Sequence, residues 1–106
     1  MIFTRPQNIT SDKGKTANLT CRTSKDSVNW LFRQKGNREQ IEIFSIDSLN
    51  MSPNVTKGKF YVAKETSTLF TLIINNVTEF HAGTYECVDD GGFGPERATA
   101  ELTVKG

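Results

Sequence analysis

Histidine and tryptophan each occur once in this 106-residue chain, cysteine twice and proline three times. A structural zinc site takes four ligands, and Cys21, Cys87 and His81 are three at most, so neither a metal nor another cofactor is expected. No apolar run approaches the roughly 18 residues of a membrane span, and the start, MIFTRPQN, has no signal-peptide apolar region. The chain is expected to be soluble as it stands, reaching a membrane only through a segment outside it. An excess of one charge is also missing, since 13 Lys and Arg lie interspersed with 12 Asp and Glu. That pattern gives no basic face for nucleic acid and no acidic tail. With 36% hydrophobic residues, the length suits one domain over residues 1–106 with one two-layer core.

A long helical period is absent as well. Glycine and polar clusters punctuate the chain roughly every 8 to 12 residues, with apolar residues alternating between them, the pattern of an all-β sandwich or barrel. In TANLTCRT, residues 16–23, Ala17, Leu19 and Cys21 share one face and Asn18, Thr20 and Arg22 the other. VNWLFRQ puts Val28, Trp30 and Phe32 together. After the turn KGNREQ, IEIFSI alternates Ile41 and Ile43 with Glu42 and Phe44, which reads as a hairpin. Beyond a Ser-, Asn- and Pro-containing loop, KFYVA points Phe60 and Val62 inward, and LFTLII does the same with Phe70, Leu72 and Ile74. This phase leaves Leu69 and Ile73 outward. TYECV aligns Tyr85 with Cys87, and RATAELTV aligns Ala98, Ala100, Leu102 and Val104. The tip DDGGFGP joins these last two strands.

Two cysteines on inward faces can be joined across sheets packed about 10 Å apart. A bridge from Cys21 to Cys87 would contribute about 4 kcal/mol by restricting the unfolded chain. Trp30, on the next strand after Cys21, is placed to cover it. The asparagines point to the compartment in which such a bridge forms. Acceptor motifs for N-glycosylation occur at Asn8, Asn18, Asn50, Asn54 and Asn76. With eight Asn and 20 Ser or Thr in the chain, chance gives about 1.5 such motifs. The excess and the cysteine pair together indicate an oxidising, extracellular setting.

Cys21, Trp30 and the run Gly83, Tyr85, Cys87 resemble the immunoglobulin fold. They match the strand B cysteine, the strand C tryptophan, and a tyrosine-corner Tyr two residues before the strand F cysteine. The resemblance covers the whole chain, with LIINNV before the heptad HAGTYEC and Gly14 at the turn into strand B. The 65 residues between the cysteines leave room for strands C′, C″ and D, which implies the variable set. Three departures stand out. His81 and Lys59 stand where the pattern has an Asp–Arg ion pair. Arg33 stands where antigen receptors have the Gln that bonds across a domain pair. The joining pattern Phe-Gly-x-Gly is half met by Phe93 and Gly94. These argue against antigen-receptor pairing and leave a variable-like innate receptor or adhesion molecule, including joining-like invertebrate domains.

The resemblance implies binding through the G, F, C, C′ sheet. Strand phase puts Asn29, Leu31 and Arg33, then Gln40, Glu42 and Phe44, then Glu86 and Val88, then Arg97, Thr99 and Glu101 on that face. Leu31, Phe44 and Val88 would form an apolar centre within a charged rim. Phe93 at the F–G tip is a second exposed candidate. The expected partner is a protein or a second copy of the chain, as in a homodimer or homophilic contact. The alternative is a lectin-like domain binding glycans through its loops. No enzymatic role is expected. His81 reads as a loop residue, Cys87 as a buried bridge partner, and the Asp89–Asp90 pair as turn chemistry, because a calcium loop needs more spaced oxygen ligands. Asn18 and Asn76 fall on the opposite sheet, so sugars there would leave the contact face open.

Overall fold

A computed structural model describes residues 2–23, 28–45, 60–64, 69–89 and 96–106, with the backbone alone at 41–45 and 61–64. Among the described residues, nine strands make two sheets. These are β1 (Ile2–Thr4), β2 (Ile9–Asp12), β3 (Ala17–Thr23), β4 (Asn29–Gln34), β5 (Gln40–Ser45), β6 (Phe60–Lys64), β7 (Leu69–Ile74), β8 (Gly83–Asp89) and β9 (Glu96–Lys105). One sheet runs β1-β3-β7-β6 and the other β2-β9-β8-β4-β5. All described pairings are antiparallel except β2 with β9. This is the all-β two-layer sandwich expected from the alternation. An expected C″ strand would fall within residues 46–59, outside the described residues, as does Lys59.

Among the described side chains the inward phases hold in both sheets, with Val104 half-buried at the end of β9. Ala17, Leu19 and Cys21 meet Trp30, Phe32, Phe70, Leu72, Ile74, Tyr85, Cys87, Ala98, Ala100 and Leu102 in one buried cluster. The Cys21–Cys87 disulfide crosses between the layers with its Cα atoms 6.5 Å apart. Trp30 is registered directly with Cys87 on the neighbouring strand and is fully buried beside the bridge. Its indole Nε1 is the one described buried side-chain donor without a hydrogen-bond partner. Leaving such a donor unmet costs about 1–3 kcal/mol, which the burial of the largest apolar side chain must exceed.

The first two strands are not legible in the hydrophobic pattern. β1 and β2 have three and four residues, too few to display a period. The chain pairs first with β3 and then crosses to the other sheet to pair with β9, with buried Pro6 between the two strands. Proline has no N–H to offer a ladder and suits such a break.

His81 stands where the variable-set pattern has an acidic residue, and it holds this end of the sandwich by different means. Thr78, Glu79, Phe80 and His81 form a single 3-10 turn between β7 and β8. The Thr78 N–H donates to His81 Nδ1 at 3.0 Å, and the His81 N–H donates to the Thr78 carbonyl at 3.0 Å. The ring is 2% exposed and lies edge-on to Phe60 and Phe80, with centroids 5.3 and 5.6 Å away. The Tyr85 hydroxyl donates to the His81 carbonyl at 2.6 Å, which is the corner expected from sequence. Tyr85 in turn stacks on Phe32 at 4.6 Å. Outside this cluster, Lys13 Nζ bonds Glu79 at 2.9 Å and holds that exposed carboxyl below its ordinary range. Gly83 is needed for a close approach. A Cβ there would fall 2.2 Å from the Arg33 carbonyl and 2.9 Å from the Lys35 nitrogen.

Two outcomes follow for this corner. Burial raises the Tyr85 phenol above its ordinary value, so the fold keeps a proton that the unfolded chain gives up. The resulting stability is intact below about pH 10 and is lost as pH rises beyond it. Tyr85→Phe should flatten that alkaline loss in pH-dependent urea unfolding while lowering neutral stability by about 1–3 kcal/mol through the unmet carbonyl. An unchanged alkaline slope would count against the corner. Because Nδ1 accepts the Thr78 N–H, this geometry places the His81 ring proton on Nε2. Ring 15N shifts should report it, and an Nδ1–H signal would contradict this geometry.

Candidate functional site

The outer face of the five-stranded sheet is ordered in rows set by backbone register. Asn29, Val88 and Arg97 form one row, Leu31, Glu86 and Thr99 the next, and Arg33, Thr84 and Glu101 a third. Leu31 is half-exposed in the middle row, while Arg33, Gln40, Arg97, Thr99 and Glu101 are exposed. Arg97 donates to Glu86 at 2.6 Å, and the Glu86 side chain keeps only 12% of its exposure. This pair fixes two charges diagonally across β8 and β9. A charge-assisted bond is short and directional, and so orders the surface around Leu31.

Among the described side chains, the apolar centre differs from the sequence expectation at one place. Val88, placed outward by strand phase, is 4% exposed, and its neighbour Asp89 is fully buried. Strict alternation gives way at the end of β8, where Cys87, Val88 and Asp89 are all buried in succession. In β5 the register shifts, so that Trp30 faces Phe44 while Leu31 faces Glu42. A register shift of this kind is a local irregularity in the ladder between β4 and β5. The side chains of Glu42 and Phe44, and Phe93 altogether, lie outside the described residues. Among the described side chains, the apolar centre of this face is Leu31.

A cleft of about 390 Å³ lies at the lower end of the same sheet, where the β4–β5 turn meets β8 and β9. Arg33, Lys35, Asn37, Thr84, Glu101 and Thr103 give it mixed charge. No buried unpartnered polar group among the described residues is directed there; Trp30 Nε1 is in the core. Nor do any three of His, Cys, Asp and Glu converge among the described residues. His81 is engaged through its ring nitrogen and buried against aromatic rings, the position of a corner residue.

The acceptor asparagines divide between the sheets. Asn18 is exposed on β3, and Asn76 is exposed with a φ of 56° just after β7, both on the four-stranded side. Asn8 precedes β2 at the edge of the other sheet, with its Oδ1 accepting the Glu101 N–H at 2.9 Å. That edge position escaped the sequence reading because β2 itself did. Asn50 and Asn54 lie outside the described residues.

The match to known proteins agrees with this architecture. Among curated protein sequences none matches the chain. Among solved structures, one similar chain is a chimeric titin Z1Z2-Z1Z2 tandem functionalised with a GRGDS peptide from fibronectin, with a TM-score of 0.74 and 24% identity. It covers 100% of this chain, which spans 49% of the tandem's length. Another comes from a structure concerning T cell specificity and activation by toxic shock syndrome toxin-1, with a TM-score of 0.70, 19% identity and 94% of both chains covered. At these identities the likeness is one of fold. The immunoglobulin V-set domain model matches residues 4–105. With the bridge, the buried tryptophan and the tyrosine corner all in place, this chain belongs to the immunoglobulin V-set family.

Proposed function

We propose that this chain is an extracellular recognition domain of a cell-surface receptor or adhesion molecule. In this reading it binds a protein partner, or a second copy of itself, through the outer face of the five-stranded sheet. V-set domains generally mediate recognition or adhesion and are typically non-enzymatic, and a disulfide-bonded V-set domain suggests an extracellular or surface location. The observation that carries the choice of face is Leu31, half-exposed beside the Glu86–Arg97 pair and bordered by Arg33 and Thr99. An apolar residue inside a polar, pre-ordered rim has the anatomy of a protein contact. Strands β4, β5, β8 and β9 also contain no glycan acceptor motif, so the face is free of attached sugar at its centre.

Sedimentation velocity of the domain over a wide concentration range separates self-association from binding to another protein. In either case Leu31→Arg should weaken the interaction by about tenfold or more, equivalent to about 1.4 kcal/mol, with the thermal midpoint nearly unchanged because the side chain is only half-buried. Arg97→Glu should weaken it too, by setting like charges against each other at Glu86. Retained self-association and retained cell binding in a folded Leu31→Arg variant would count against this face. Glycan binding that survives Leu31→Arg would instead favour the lectin-like alternative.

A further inference from the structure

The four-stranded sheet presents an outer face that nothing in the recognition surface uses. On it Ile73 of β7 is half-exposed and registered directly opposite Asn18 of β3. Side chains of directly opposed residues project from the same face, with Cβ atoms about 4.5–5.5 Å apart. Asn18 opens the acceptor motif Asn18-Leu19-Thr20, and its side chain is exposed while Leu19 is buried. We infer that Asn18 carries an N-linked oligosaccharide whose first sugar lies over Ile73.

In the attachment step, Asn18 Nδ2 forms a bond to C1 of the sugar and gives up a proton. The C1–O bond to a lipid-diphosphate-linked oligosaccharide donor breaks, and the lipid diphosphate leaves with the bonding pair. The Thr20 hydroxyl, part of the acceptor motif, is half-buried and lies 3.5 Å from the Thr71 hydroxyl in the fold. Once the strands pair, the N-acetyl group and the C–H face of the first sugar stand beside the Ile73 side chain and remove apolar surface from water. The other described motifs are built differently. Asn76 sits at a turn in a left-handed conformation, and the Asn8 carboxamide is bonded to β9 at the edge of the opposite sheet.

This inference rests on the extracellular reading above, and its test is independent of any partner. The 106-residue chain is secreted from glycosylating animal cells and then treated with an amidase in 18O-labelled water, which converts a sugar-bearing Asn to labelled Asp. Mass mapping should find the label at residue 18. Hydroxyl-radical footprinting before and after sugar removal should show a several-fold rise in oxidation at Ile73, with exposed Phe3 on β1 as the unchanged control. Asn18→Gln should show the high Ile73 value from the start. An unlabelled residue 18 overturns the inference, as does a labelled residue 18 with no change at Ile73. Label at Asn8 or Asn76 with residue 18 bare overturns it while leaving the extracellular reading intact.

Discussion

The disulfide between Cys21 and Cys87, with Trp30 beside it, is the constraint from which the remaining geometry follows. One cysteine belongs to each sheet, so the bridge fixes which face of β3 and which face of β8 turn inward. Register then propagates outward from these strands. Leu19 and Cys21 bring Leu72 and Phe70 inward on one side, and Cys87 brings Trp30 and Ala98 inward on the other. Because a strand's side chains alternate, fixing the inner set fixes the outer set too. The position of Leu31 on one surface and of Asn18 on the other is thus decided in the core. Trp30 fills this seam with its bulk, its indole N–H unpartnered.

Far from the bridge, a different solution holds the sandwich closed. The family's usual link at this end is an ion pair between an acidic residue and an arginine. Here His81 instead accepts a backbone N–H, packs between two phenylalanines and lends its carbonyl to Tyr85. The arrangement is built from backbone hydrogen bonds and aromatic contacts. The Lys13–Glu79 pair adds charge only on the exposed outer side, where such pairs contribute little.

The sequence conveyed the inner layers well because long strands with one buried face carry a repeating signal. Seven of the nine strands, the bridge partners and the tyrosine corner could all be placed from that period and the family motif. What it did not convey depends on local breaks in the period. β1 and β2 are too short to show one, and their switch between sheets around Pro6 is a tertiary choice. The register shift opposite Trp30 and Leu31 and the consecutive burial of Val88 and Asp89 depend on neighbouring segments that alternation does not encode. These breaks fall on the face read as the contact surface, which is why its residues were less legible than the core. The outer face of the other sheet was the reverse case. The sequence phase left Ile73 outward, and register sets it directly across from Asn18.

The two outer surfaces are thereby given different chemistry by one core, and that account stands or falls on the covalent seam. The direct measurement is peptide mass mapping of unreduced protein, secreted and alkylated in denaturant. A single linked peptide pair containing Cys21 and Cys87, with no alkylated cysteine, is the expected result. Alkylation of both cysteines would contradict the account, since nothing would then tie β3 to β8 in the register from which both faces were derived.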